Sequence, residues 1–134
     1  MKSISPYLMF QGNCEEAMNF YHSCFGGTLE IRRFGDTEMP VEEDYRDKIM
    51  HGELKSDDFC IMFSDGAPHK KVEYGDNIQL NINFDDEEKT EAIFNKLADG
   101  GTVTMPLDVT FWNAKFGMLV DKFGIRWMVN CPIS

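Results

Sequence analysis

Hydrophobic and polar positions alternate most cleanly between Asn77 and Phe84. Ile78, Leu80, Ile82 and Phe84 share one face of an extended chain, and Asn77, Gln79, Asn81 and Asn83 the other. This predicts a strand with one face on a core and the other on water or a ligand. Asp85-Asp86-Glu87-Glu88 follows, placing acids where the dipole of a starting helix favours them. Ile93, Phe94 and Leu97 then supply an inward helical face before Gly100-Gly101 stops it. Strands are predicted near Thr102 to Leu107, Phe116 to Val120 and Arg126 to Val129.

The first half of the chain carries the same order. Ile4 to Phe10 predicts a short apolar strand, and Asn13 with Glu16 three residues on predicts an N-cap with its capping-box partner. Ala17, Met18, Phe20, Tyr21, Cys24 and Phe25 give the buried face of a helix that Gly26-Gly27 ends. Strands follow at about Thr28 to Phe34, Ile49 to Lys55 and Phe59 to Ser64, separated by a polar loop from Gly35 to Asp47. An offset of 74 residues lays Leu8 on Ile82, Phe10 on Phe84, Phe20 on Phe94 and Gly26-Gly27-Thr28 on Gly100-Gly101-Thr102. The pattern is an α+β unit written twice, βαβββ in tandem, with modules of about 1–66 and 77–134 in one domain spanning 1–134.

Charge narrows the partners. A formal net charge of -10, with Lys70-Lys71 as the densest basic spot, repels nucleic acid. No apolar run approaches a membrane span and the first residues lack a signal-peptide pattern, so the expected location is cytoplasmic, away from membranes. Cys14, Cys24, Cys60 and Cys131 form no C-x-x-C pair and read as small buried hydrophobes in a reducing compartment.

Several side chains could carry chemistry. His51 and Glu53, two apart on one strand, could be a ligand pair, a general base with its orienting carboxylate, or a salt-linked pair on an outer face. The amides Asn77, Gln79, Asn81 and Asn83 could hydrogen-bond a ligand or face water. Trp112 and Arg126 could form a wall and an anion anchor, whereas Trp127 alternates out of phase with Met128 and reads as core. No nucleophilic triad can be assembled, and no glycine-rich loop follows a strand as a phosphate or S-adenosylmethionine site requires.

The tandem repeat, with SPYLMF, FYHSCFGG, MHGEL, MFSD and FWNAKFGMLVDKFGIRW, resembles the vicinal oxygen chelate superfamily of glyoxalase I, bleomycin-resistance proteins and extradiol dioxygenases. Within it the chain is similar to the PhnB-like (demethylubiquinone methyltransferase-like) group. The resemblance implies two modules curling into a cup-shaped mixed sheet around a cleft, and a homodimer. Metal-dependent relatives hold a divalent ion on four cleft-facing residues, positions that the resemblance carries to Pro6, Met62, Gln79 and Met128. Of these only Gln79 offers an oxygen, and one neutral amide cannot offset a cation's lost hydration. The expectation is therefore a protein without metal or other cofactor that binds an unidentified small molecule. Its cleft is expected to be lined by Leu8, Phe10, Met62, Gln79, Asn81, Trp112 and Met128, with Arg126 or Glu53 orienting a polar group. The alternative is a lyase, isomerase or dioxygenase-like enzyme using His51 and Glu53, with or without a recruited metal.

Overall fold

The computed structural model describes residues 1–133. The chain divides into two compact units, Met1–Glu73 and Tyr74–Ser134, each running strand, helix, three strands. The first contains β1 (Tyr7–Met9), α1 (Cys14–Phe25), β2 (Thr28–Arg33), β3 (Ile49–Lys55) and β4 (Cys60–Ser64), with 3-10 turns at Phe34–Asp36 and Glu43–Tyr45 in the long loop. Its sheet has the order β1-β4-β3-β2, with β1 parallel to β4 and the other pairs antiparallel.

Helix α1 buries Cys14, Ala17, Met18, Tyr21 and Cys24 on one stripe, as the apolar spacing predicts. Tyr21 stacks on Phe63 of β4 at 5.9 Å, and Phe63 on Phe10 at 6.4 Å. Removing each such aromatic ring from water contributes about 1.5–3 kcal/mol, which holds the helix on the sheet. The approach is close because β3 carries Gly52 there. The thioether end of Met18 occupies the place a Cβ would take.

The second unit contains β5 (Leu80–Asn83), α2 (Glu87–Ala98), β6 (Thr102–Val109), β7 (Ala114–Val120) and β8 (Arg126–Pro132). Its sheet, β5-β8-β7-β6, repeats the first: β5 runs parallel to β8 and the other pairs are antiparallel. Thr90, Phe94 and Leu97 of α2 are buried, and Phe94 sits over Gly117 of β7. Asp86 caps α2, accepting from the backbone N–H groups of Glu88 and Lys89. Between β7 and β8 the buried Asp121 organises the turn. Its Oδ1 accepts from Phe123 N at 2.8 Å and Ile125 N at 3.1 Å, and its Oδ2 from the indole nitrogen of the buried Trp127 at 2.8 Å.

Four expectations need correction. Strand β1 begins at Tyr7 rather than Ile4, because Pro6 has no N–H to donate; its carbonyl still accepts from Met62 N at 3.0 Å. Strand β5 is shorter than the alternating run predicted: Leu80 pairs with Trp127, so the residues before Gln79 lie opposite the Asp121 turn and Ile78 stays 75% exposed. The Asn13 side chain makes no capping bond; the start of α1 is capped instead by Asp65, at the far end of β4. Cys60 is half-buried, unlike the other three cysteines, which are buried.

Candidate functional site

Residues directly opposite in neighbouring strands project from the same face, so the register sorts each sheet into a covered and an open side. In the first unit the row Leu8, Phe63, Gly52, Ile31 contains Phe63 and Gly52, which pack on α1. The adjacent row, Tyr7, Met62, Glu53, Glu30, therefore projects away from the helix, and His51, two residues before Glu53, joins it.

On that open face the Tyr7 hydroxyl lies 2.8 Å from His51 Nδ1, with the rings tilted and 5.5 Å apart. Burial pushes the Tyr7 phenol above its ordinary value, although the Ser64 hydroxyl works the other way, so Tyr7 is protonated at neutral pH. Among the described residues His51 Nε2 makes no hydrogen bond. The Cys60 thiol points at Glu53 Oε1 from 4.0 Å. The open face thus presents a phenol, an imidazole, a carboxylate and a thioether, a set able to donate or accept a proton beside an apolar contact.

The second unit has the same division. The row Leu80, Trp127, Leu119 faces α2, while Asn81, Met128 and Met118 form a row on the open side, with Asn83, Asn130 and Phe116 as the next. Asn81 donates to Asn83 Oδ1 at 3.0 Å. Trp112, at the β6–β7 hairpin tip, donates from Nε1 to Asn130 Oδ1 at 3.3 Å and meets the Phe116 ring edge-on at 5.5 Å. Arg126, opposite Val120, reaches toward the Gly75 carbonyl, 3.4 Å from Nε. Beside it an open groove of about 490 Å³ is lined by Tyr74, Gly75, Asp76, Val120, Gly124 and Arg126.

The expected site residues separate on these faces. Met62, His51 and Glu53 lie on the open side of the first unit; Asn81, Met128, Arg126 and Trp112 lie on that of the second. Gln79 precedes β5 and is exposed, with Asn81 as the residue opposite Met128. Phe10 and Leu8 do not line an open face. Phe10 is fully buried against Phe63, and Leu8 pairs with that same residue on the helix side. By the same parity the β1 residue beside Met62 is Tyr7, not Pro6.

The positions that the resemblance assigns to a divalent cation, read by register, carry neither a carboxylate nor an imidazole; those groups, Glu53 and His51, lie beside them on the open face of the first unit. The paired open-face positions are a phenol and a thioether (Tyr7, Met62) in one unit and a carboxamide and a thioether (Asn81, Met128) in the other. Thioethers are soft donors, whereas such cations need anionic oxygens or imidazoles. Among the described residues no three His, Cys, Asp or Glu side chains converge as a site would need.

Residues 2–130 match the family profile described as 3-demethylubiquinone-9 3-methyltransferase. The chain belongs to this family. It is 47% identical to PA1353 of Pseudomonas aeruginosa, with 98% of each chain covered and a TM-score of 0.89. The PhnB protein of Bacillus cereus is 30% identical, with 97% of this chain and 99% of that one covered and a TM-score of 0.79. A glyoxalase/bleomycin resistance protein/dioxygenase family enzyme from Burkholderia phytofirmans PsJN is alike in fold alone, at 16% identity and a TM-score of 0.59. The resemblance to the PhnB-like group therefore holds, and the α+β tandem fold is that of glyoxalase/bleomycin-resistance proteins.

Tyr7 and Asn130 escaped the sequence reading. A signal for Tyr7 was present: the 74-residue offset that aligns Leu8 with Ile82 also aligns Tyr7 with Asn81. Asn130 carried none, because its role depends on the hairpin bringing Trp112 to it across 18 residues.

Proposed function

We propose that this family member is a small-molecule binding protein of the glyoxalase/bleomycin-resistance fold, that it works without a divalent metal, and that its ligand rests on the open sheet faces. The observation that carries the reading is the register. One face of each sheet is covered by its helix, and the other bears Tyr7, Met62 and Glu53 or Asn81, Met128 and Met118, groups suited to hydrogen-bonding and soft apolar contact. Methyl transfer, named in the family's description, needs a methyl donor held beside the acceptor. Both helix N-termini that could hold an anionic part of one are closed by carboxylates of this chain, Asp65 and Asp86.

A thermal-shift screen across small molecules and across zinc, nickel, manganese and iron tests the reading. A specific ligand at a hundred times its dissociation constant adds about 2.7 kcal/mol of stability. Metal-independent stabilisation by an organic compound is the expected result; stoichiometric metal in protein purified without chelator would overturn the metal-free part.

The Tyr7–His51 contact favours a second reading, an enzyme of lyase or isomerase type. With the phenol on Nδ1, His51 Nε2 is left to exchange a proton with a bound molecule, and Glu53 shares the face. Mass spectrometry of a ligand incubated with the protein separates the two. Recovery unchanged supports binding alone, whereas conversion that disappears in His51→Gln supports catalysis.

A homodimer completes the proposal. Strand β6 is a sheet edge whose Val103, Met105 and Val109 are 43%, 45% and 54% exposed, an apolar edge that a second copy would cover. Light scattering at micromolar concentration should give twice the chain's mass.

A further inference from the structure

On the open face of the second unit, Asn81, Asn83, Asn130, Phe116 and Trp112 form one continuous patch. Its hydrogen-bonding capacity can be assigned atom by atom. The indole nitrogen of Trp112 can only donate, so the Asn130 oxygen must point to it and the Asn130 NH2 group must point away. The bond from Asn81 to Asn83 uses one oxygen and one NH2, leaving the Asn83 NH2 and the Asn81 oxygen. Among the described residues none of these three remaining groups has a partner. Beside them Trp112 keeps 49% of its surface exposed while its indole nitrogen is held by Asn130. The rings of Phe116 and Phe111 stand across it at 5.5 and 5.0 Å, and its remaining exposed surface is a stacking platform.

We infer that this patch recognises an uncharged planar ring with a carbonyl beside a ring N–H, a lactam-type edge. The ring stacks on Trp112, its carbonyl accepts from the NH2 groups of Asn130 and Asn83, and its N–H donates to the Asn81 oxygen. The ring is uncharged because the groups of the patch itself are amides and an indole, none of which carries a charge to offset one. Asp108, opposite Phe116, turns its carboxylate onto Val109 N at 2.7 Å, and Arg126 is directed to Gly75. A net charge of -10 further disfavours anions. The inference rests on the small-molecule reading above and names the ligand class for one of its two faces.

The test uses the whole 134-residue chain labelled with nitrogen-15 and three probes of similar size: 2-pyridone, N-methyl-2-pyridone and benzoate. 2-Pyridone should move the Trp112 indole resonance and the side-chain amides of Asn81, Asn83 and Asn130. N-methyl-2-pyridone, which lacks the N–H, should bind about tenfold more weakly, and benzoate weaker still. Trp112→Leu should weaken 2-pyridone about tenfold through lost stacking. Asn130→Leu should do the same through a lost donor, and the exposed Asn83→Ser serves as the second polar variant where Asn130→Leu folds poorly. Equal binding of benzoate and 2-pyridone, or no response at Trp112, overturns the inference. If the probes or screened compounds act only at Tyr7 and His51, the lactam patch falls and the small-molecule reading stands. If no compound stabilises the protein or moves any open-face resonance, both fall.

Discussion

Asp65 caps the helix that begins at Cys14, across 51 residues of chain: its Oδ1 accepts from Cys14 N at 3.0 Å. The same oxygen accepts from Gly12 N at 2.8 Å, and Oδ2 takes Ile49 N at 2.8 Å, so one buried carboxylate ties together the first turn of α1, the end of β4 and the start of β3. Asp65→Ala leaves three backbone donors without acceptors and should destabilise the fold by about 3 kcal/mol. Asp65→Asn keeps one oxygen but sets an NH2 against a donor, and should lie between the two. Urea denaturation with unchanged m-value checks both.

Arg33 makes a two-pronged bond to Glu15 of α1, at 2.9 and 2.7 Å, and this partner holds the Glu15 carboxyl below its ordinary value. A depressed folded value means stability that is present above the unfolded carboxyl range and is lost as pH falls through the folded value. The pair is 33% and 46% exposed, so its contribution is below about 1 kcal/mol. Glu15→Gln should therefore melt slightly lower than the parent at pH 7, and the two curves should meet in acid. A difference that persists at pH 2 would assign the effect to packing.

Gly52 and Gly117 each let a helix approach its sheet, but the neighbours differ in how far they can yield. At Gly52 an added Cβ meets the flexible thioether end of Met18; at Gly117 it meets the Phe94 ring at 2.8 Å and the Leu107 Cα at 3.1 Å. Gly117→Ala should cost about 3 kcal/mol or more, and Gly52→Ala about 1–2 kcal/mol, because a Met side chain can change rotamer where a ring and backbone cannot. Melting temperatures of the two variants give the order directly. The reverse order would place the strain elsewhere.

Met128 lies opposite Asn81, which identifies the pair to convert if a cation is to be held. Met128→Glu alone adds a carboxylate without a partner and should lower the melting temperature with little response to zinc. Combined with Asn81→His it supplies an imidazole and a carboxylate on adjacent strands, two ligands that zinc uses, and added zinc should then raise the melting temperature. A single variant that responds as strongly as the double would mean other donors reach the position.

The local features were legible in the chain because each is settled by neighbours in sequence. Phe94 and Leu97 recur at helical spacing, and Gly26 takes the positive φ that ends α1. Asn81 could be set on the face away from the core because polar and apolar residues alternate around it, whereas Met128 was placed there only by the family resemblance. In β1 that signal fails. Pro6 to Phe10 is almost uniformly apolar, so either parity satisfies the pattern, and a shift of one residue exchanges Tyr7 for Pro6 or Leu8. The choice is made by β4, whose Phe63 must sit under Tyr21 and so draws Leu8 to the helix side and leaves Tyr7 beside Met62 and His51. The Asp65 cap was likewise hidden, since Asn13 has the right chemistry in the right place and only the folded chain brings a buried carboxylate there first. Burial decides in both cases: an aromatic ring or an ionised group must find its partner in the core, and that partner lies far away in sequence.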